Sequence, residues 1–388
     1  MATRTASGQP TIPSWGFYAW IGILGVLVLQ GLYSFFRQTF EGHYLTGLSN
    51  ATPWGLYIAA FVFFIGASAG ATVIGLMIHA FGREDYAPLG TRAILVALFA
   101  LAGAVLLIAV DVGSIPRMLR MPLIWRNPTS PLMYTSMSYY LFSAMLLGGL
   151  YYTIKLTRGL ANDRDKKIAK WLAIATVPVA LVIVQATDGI MFAVVIAREL
   201  WNTPLLPPHF AVASLATGTS VMILMALVTS RVSGKELVSK RTLAHMGGLL
   251  AVFIGIAGFL DVFDLIVFMY SDQVGGNDIW HVLNTDNLAL TVLHVGGYII
   301  AFVILLSKWR HSIRWLTVAS VLALVALAAY RYNLTTVGLA VPLFPFIPEV
   351  NYTPTMLEIS LTVGILALVT LGYSIVTKVL PMEKRADS

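Results

Sequence analysis

Asp111, Gln185, Asp188, Asp261, Asp264, His294 and Glu358 each stand inside or at the rim of a long apolar run. Ionisable groups in such surroundings are costly to keep, so their first reading is functional. Carboxylates and an imidazole give and take protons when they are positioned against a reacting group. Asp264 follows Asp261 by three residues, which sets both on roughly one helix face. The bland reading is that each acid pairs with an arginine or caps a helix. Arg117 is near Asp111 along the chain, and Arg198 is near Asp188.

The elements that must hold these groups follow from composition. Of 388 residues, 58% are hydrophobic and 11% charged, against about 25% charged in soluble domains. A chain this apolar cannot cover its own surface with polar groups, so its solvent is lipid. A bilayer core of about 30 Å is crossed by about 20 apolar helical residues, whose backbone satisfies itself. The apolar runs predict an all-α integral membrane fold with spans at 15–36, 53–81, 89–112, 132–156, 168–197, 208–229, 243–270, 286–306, 314–330 and 355–379. The opening MATRTASGQPTIPSWG lacks a small-residue cleavage site, so the first span is expected to be retained.

The formal charge of +7 invites a nucleic-acid reading. That reading fails, because the basic residues sit in short loops between apolar runs rather than on one face. Most of the 25 lysines and arginines fall on the side that holds the N-terminus, the even-numbered turns and the C-terminus. This bias predicts both termini on the cytoplasmic side of the inner membrane. With no cysteine, the chain has no disulfide, iron–sulfur ligation or zinc-thiolate site of its own. Electrons passing through it would need a bound carrier or a partner subunit.

The outer connections RMPLIWRNPTSP, RELWNTPLLPP, SDQVGGNDIWHVLNTD and RYNLTTVGLAVPLFPFIPEVNYTP are longer and richer in Pro, Trp and Asn. Long ordered loops are usually functional, so this face is expected to dock a partner. The titratable groups also gather in the outer half; the inner half offers only His79 and His245. A quinone suits such a site. Its ring reaches the protein from lipid, its carbonyls need hydrogen-bond donors, and its reduction takes up protons. The run Gly66-Ala67-Ser68-Ala69-Gly70-Ala71 signals close helix approach.

Several segments, in order, carry a family likeness: PWGLYIAAFVFFIGASAGA, REDYAPLGTRA, DVGSIPRMLRMPLIWRNPTSPLMY, QATDGIMFAVVIARELWNTPLLPPHF, RYNLTTVGL and YTPTMLEISLTVG. Together they resemble the NrfD / polysulfide-reductase membrane-subunit family, in its ten-helix branch. The resemblance implies one polytopic domain: a peripheral helix at 15–36, a first four-helix bundle at 53–197, a second at 208–330, an outer loop at 331–354 and a final helix at 355–379. It implies a subunit without haem that meets menaquinone or ubiquinone in the outer end of the first bundle. An iron–sulfur, ferredoxin-like subunit would dock on the outer face, with a molybdopterin enzyme, hydrogenase or multihaem cytochrome beyond it.

On that likeness Asp111 and Asp188 exchange protons, and Arg117 stabilises negative charge. Ser68, Tyr140 and Gln185 line the ring site. Apart from the likeness, the depth of Asp261, Asp264, His294 and Glu358 in their spans makes them candidates for a second polar track, a proton path in the other bundle. Two departures stand out. Ile58, Phe61 and Ser68 occupy a face where some relatives carry histidine, and Ser114 stands where an arginine is common. The rival reading is a secondary transporter or ion-coupled permease, which would show a midplane polar site at paired broken helices. A third is an inert anchor for a redox partner.

Overall fold

The computed structural model describes residues 14–77, 82–114, 118, 120, 130–270, 276–342 and 352–380. Among them every regular element is helical. Helix α1 spans Ser14–Glu41, α2 Leu56–Gly75, α3 Gly90–Val112 and α4 Pro131–Thr157. Helix α5 is continuous from Asp163–Pro178 through a wide turn, Val179–Gln185, into Ala186–Ala193. Then come α6 (Leu206–Ser233), α7 (Lys240–Tyr270), α8 (Leu288–Leu306), α9 (Ile313–Ala340) and α10 (Met356–Val379). A short helix, Gly276–Asn284, crosses between α7 and α8.

Among the described residues, nine of these helices are long and apolar enough to cross a membrane. The other, α4, has the length at 27 residues, but Tyr134, Ser136, Ser138, Tyr139 and Tyr140 dilute its first turns. Large apolar side chains such as Trp15, Leu29, Phe40, Val262 and Ile299 face outward. The protein is a multi-pass, all-helical membrane protein.

Helix α2 is the centre of the fold and packs on α3 and on α6. Its small-residue run does what the spacing suggests. A Cβ on Gly70 would strike the Ser214 carbonyl, and one on Gly218 would strike the Gly70 backbone, so only glycine permits this crossing. Around it, α4 packs on α3 and α5, α6 on α7 and α9, and α8 on α9. Helix α1 lies chiefly along α10, crossing it where Gly31 meets Gly364. Tyr57, Phe142, Phe192, Phe210 and Trp201 fill one core; Met222, Met246, Leu250 and Leu316 fill another.

Two boundaries hold the site. The end at which α2, α4, α6, α8 and α10 begin is the upper end. There α3 stops at Gly113, whose φ of 65° is left-handed, a conformation that glycine adopts freely. Helix α10 starts there with a capping box between Thr355 and Glu358.

The segment 331–340, expected as part of an outer loop, is instead the last part of α9, which runs unbroken to Ala340. The apolar run ends at Arg331, which is why that residue reads as a boundary. Yet Arg331 is buried, only 3% exposed. The hydroxyls of Thr335 and Thr336 fold back on the carbonyls of Arg331 and Tyr332, so the polar residues do not break the helix.

Candidate functional site

Pro178 lacks an N–H and crowds the preceding turn. The wide turn Val179–Gln185 follows it directly, and such turns relieve an interrupted ladder while re-aiming the next residues. Gln185 closes this turn, and Asp188 stands three residues on, on the same face. Gln185 is 0% and Asp188 2% exposed. Across from them, α4 supplies Tyr139, whose hydroxyl donates to Asp188 Oδ1. The Tyr139 ring rests edge-on against Phe61 of α2, with centroids 5.8 Å apart. Asp188 Oδ2 and both amide atoms of Gln185 are buried without a partner. Buried polar atoms are rarely left so, and this group is the most concentrated exception in the upper half.

Arg331 is the buried cation that acts on Asp188. It makes no ion pair at contact distance among the described residues. Its guanidinium lies over Phe210, 3.7 Å from the ring centre, and one terminal nitrogen has no hydrogen-bond partner. The ring face supplies part of the attraction that water would otherwise give. Trp54, Phe192 and Trp201 pack around Phe210 and close this group from above: Trp54 stacks on Trp201 at 5.3 Å, and Phe192 meets Phe210 at 5.7 Å.

Arg331 also acts electrostatically on Asp261 of α7. Asp261 sits between two histidines. His209 Nε2 of α6 lies 2.9 Å from one carboxylate oxygen, with its ring turned off the hydrogen-bond line, and His209 Nδ1 is unpartnered. His294 Nε2 of α8 reaches the other oxygen at 3.3 Å. Tyr330 packs against both imidazoles, with centroids at 4.4 and 5.0 Å. Asp264 accepts from the Thr203 hydroxyl at 2.6 Å. Tyr139 bonds to Asp188, and His209 and His294 contact Asp261, while Arg331 acts on both acids through the field rather than by contact. Asp261 and His294 border a cavity of about 580 Å³ between α7, α8 and α9.

A third group lies at the base of α10. Glu358 is fully buried. One of its oxygens accepts from the Gly47 N–H (2.8 Å), the Thr355 N–H (2.8 Å) and the Thr355 hydroxyl (3.1 Å). The other accepts from the Tyr352 hydroxyl at 2.7 Å. Burial, and then this bond, hold the Tyr352 phenol well above its ordinary value, so it stays a donor. Asp111 and Tyr57 lie within electrostatic reach of Glu358. One Asp111 oxygen is buried and unpartnered.

The structure thus divides the residues singled out from the sequence. Asp188 and Gln185 come together. Asp111 stands with Glu358, and Glu358 does not join Asp261, Asp264 and His294. The Ser68 hydroxyl is spent on the Ala97 carbonyl at 2.7 Å, tying α2 to α3. Tyr140 is half exposed and points away from Asp188. Arg117 lies outside the described residues. Arg198 does not pair with Asp188; it donates to the Val341 carbonyl at 2.7 Å at the end of α9, and burial lowers its pKa.

Sequence reasoning misses four participants: Tyr139, His209, Tyr330 and Arg331. His209 carries the same signal that picks out His294, an ionisable group at membrane depth. Because it opens its span, it reads as interfacial.

The family model described as polysulphide reductase, NrfD matches residues 44–342. The chain belongs to the NrfD family. It is 24% identical to the C subunit of the selenate reductase of Mesobacillus selenatarsenatis, over 93% of each chain. It is 25% identical to the Hdr-like menaquinol oxidoreductase integral membrane subunit of Archaeoglobus fulgidus, over 93% of this chain and 92% of that one. Both relatives carry the names of oxidoreductase subunits, and this NrfD protein matches each of them over nearly its whole length.

Proposed function

We propose that this protein is the quinone-reactive membrane subunit of a respiratory oxidoreductase complex, passing electrons between the quinone pool and an iron–sulfur subunit. The observation that carries the reading is the group of orphaned polar atoms at Asp188, Gln185 and Arg331. It suits a ring bearing two oxygens. The Gln185 amide and the Arg331 guanidinium offer N–H donors to a carbonyl oxygen, and the free Asp188 oxygen offers a proton acceptor to a hydroxyl. A bound quinone would supply the electron-transfer chemistry; the chain supplies none of its own.

The remaining roles fall to this chain's side chains. Gln185 and Arg331 orient, and Arg331 also lowers the cost of negative charge beside it. Asp188 holds or releases a proton, and Tyr139 fixes the rotamer of its carboxylate. Trp54, Phe192, Phe210 and Trp201 keep water out from above. Asp261, His209 and His294 form the adjoining proton-exchanging group. The relatives' names, which include a menaquinol oxidoreductase subunit, favour menaquinone as the partner molecule.

The upper end is read as the outer face of the cytoplasmic membrane, with both termini inside. A ferredoxin-like iron–sulfur subunit would dock on that face, with a catalytic subunit beyond it. The test is the complex purified in nanodiscs. Quinone should copurify with it in stoichiometric amount, and Gln185→Leu should strip it while the subunits stay assembled. Retention of the quinone by that variant would refute the placement.

A further inference from the structure

A larger cavity lies at the lower end of the first bundle, away from the groups assigned above. It holds about 1180 Å³. Its walls are the last turn of α2, the foot of α3, the lower halves of α4 and α5 and the end of α6. Small-molecule sites commonly measure about 300–1,000 Å³, so this space has room for a larger guest. It is open at Gly149 of α4, where a Cβ would come no nearer than 3.8 Å to any neighbour, the Ile94 Cδ1.

The wall is graded in polarity along the helix axes. Its upper part is apolar, with Ile94, Met145, Leu146 and Leu172. Two threonines at that level have spent their protons on backbone: Thr72 donates to the Ser68 carbonyl (2.8 Å) and Thr176 to the Leu172 carbonyl (2.6 Å). The rim is charged. Arg92 is buried there, and one terminal nitrogen donates to the Pro88 carbonyl at 2.8 Å, which fixes the guanidinium at the foot of α3. Lys235 adds a second cation, and Glu84 and Glu236 add two carboxylates. These three stand on exposed turns, farther toward water than Arg92. Thr91 and Thr153, also in the rim wall, bring two hydroxyls.

We propose that this cavity binds one molecule of phosphatidylethanolamine, with an acyl chain among the upper apolar side chains, the phosphate at Arg92 and Lys235, and the ammonium at Glu84 and Glu236. The gradient is that of an amphiphile, and basic pockets between membrane helices take lipid head groups. Guanidinium and phosphate form strong charge-assisted bonds. The equal count of cations and carboxylates at the rim selects a zwitterion over an anionic lipid. A primary ammonium also carries three N–H donors for the carboxylates, whereas the quaternary nitrogen of phosphatidylcholine carries none. The site stands independently of the quinone reading.

The experiment uses the full chain, delipidated in detergent and titrated separately with dioleoyl phosphatidylethanolamine, phosphatidylcholine and phosphatidylglycerol, with bound lipid counted by native mass spectrometry. The wild type should hold one phosphatidylethanolamine at least tenfold more tightly than either other lipid. Gly149→Phe, which fills the cavity, should lose that lipid while melting at the wild-type temperature. The surface double variant Glu84→Gln with Glu236→Gln should lose the preference over phosphatidylglycerol, and Lys235→Gln should weaken both lipids. Equal or tighter binding of phosphatidylcholine or phosphatidylglycerol by the wild type overturns the proposal, as does the absence of any tightly held lipid. Undiminished binding in Gly149→Phe places the lipid elsewhere and also overturns it. If Gly149→Phe fails to fold, the glutamine double variant decides: an unchanged preference refutes the site.

Discussion

The Arg331 guanidinium carbon lies over the Phe210 ring, 3.7 Å from its centre, within electrostatic reach of Asp188 and Asp261 but in an ion pair with neither. A buried cation normally pairs closely with an anion. This one is held by a ring and leaves a terminal nitrogen free. Arg331→Lys keeps the charge and loses the planar fork and the stacking surface. Quinol-linked turnover of the assembled complex should fall about tenfold or more, an energy of about 1.4 kcal/mol. Steady-state kinetics with a soluble quinol checks this; unchanged turnover would mean that charge alone suffices.

Asp188→Asn removes the proton-exchanging oxygen while keeping the shape. Turnover should drop about a hundredfold, within the range for lost acid–base function. Tyr139→Phe should cost less, because the carboxylate survives and only its orienting bond is lost. The ordering of the two variants is the test. A larger loss in Tyr139→Phe would transfer the leading role to the phenol.

Glu358 joins the turn at Gly47, the start of α10 and Tyr352, whose hydroxyl in turn accepts from the Leu56 N–H at 2.9 Å. Glu358→Ala strands several buried donors, each worth about 1–3 kcal/mol when unsatisfied. The expected outcome is a clear fall in melting temperature in detergent. Glu358→Gln should recover part of it.

Gly70→Ala should destabilise by about 1–3 kcal/mol, since its methyl would meet the Ser214 carbonyl. Gly22→Ala is the control, because nothing lies within 4 Å of a Cβ there. Thermal unfolding of both variants decides whether the α2–α6 crossing tolerates a methyl group.

The absence of cysteine makes orientation easy to measure. Asn50→Cys, at the upper end, should react with an impermeant maleimide in intact cells. Ser233→Cys, at the other end, should react only after permeabilisation. The reverse pattern would invert the proposed topology.

The spans are legible because bilayer thickness imposes a length and an apolar composition, and both are local. Side-chain facing is less so. Tyr139 and Tyr140 are adjacent and chemically identical, yet about 100° of helix turn separates a ligand of Asp188 from a lipid-facing ring. Arg331 is visible as a residue but marks the wrong thing. A lone cation in an apolar run reads as a boundary until Phe210, more than a hundred positions earlier in the chain, is brought beneath it. Glu358 is legible as a helix cap from its spacing to Thr355. Its link to Gly47 and its influence on Asp111 depend on chain ends that sequence proximity does not join.

The glycine contact between α1 and α10 bears on biogenesis. Helix α1 leaves the ribosome long before α10, yet its main resting place is against α10. Until α10 is threaded into the bilayer, α1 must wait there with its partner-facing stripe turned toward lipid or toward an insertion factor. Any chain that stalls or is clipped before Met356 should carry an unclaimed first helix, a feature that membrane quality control can recognise.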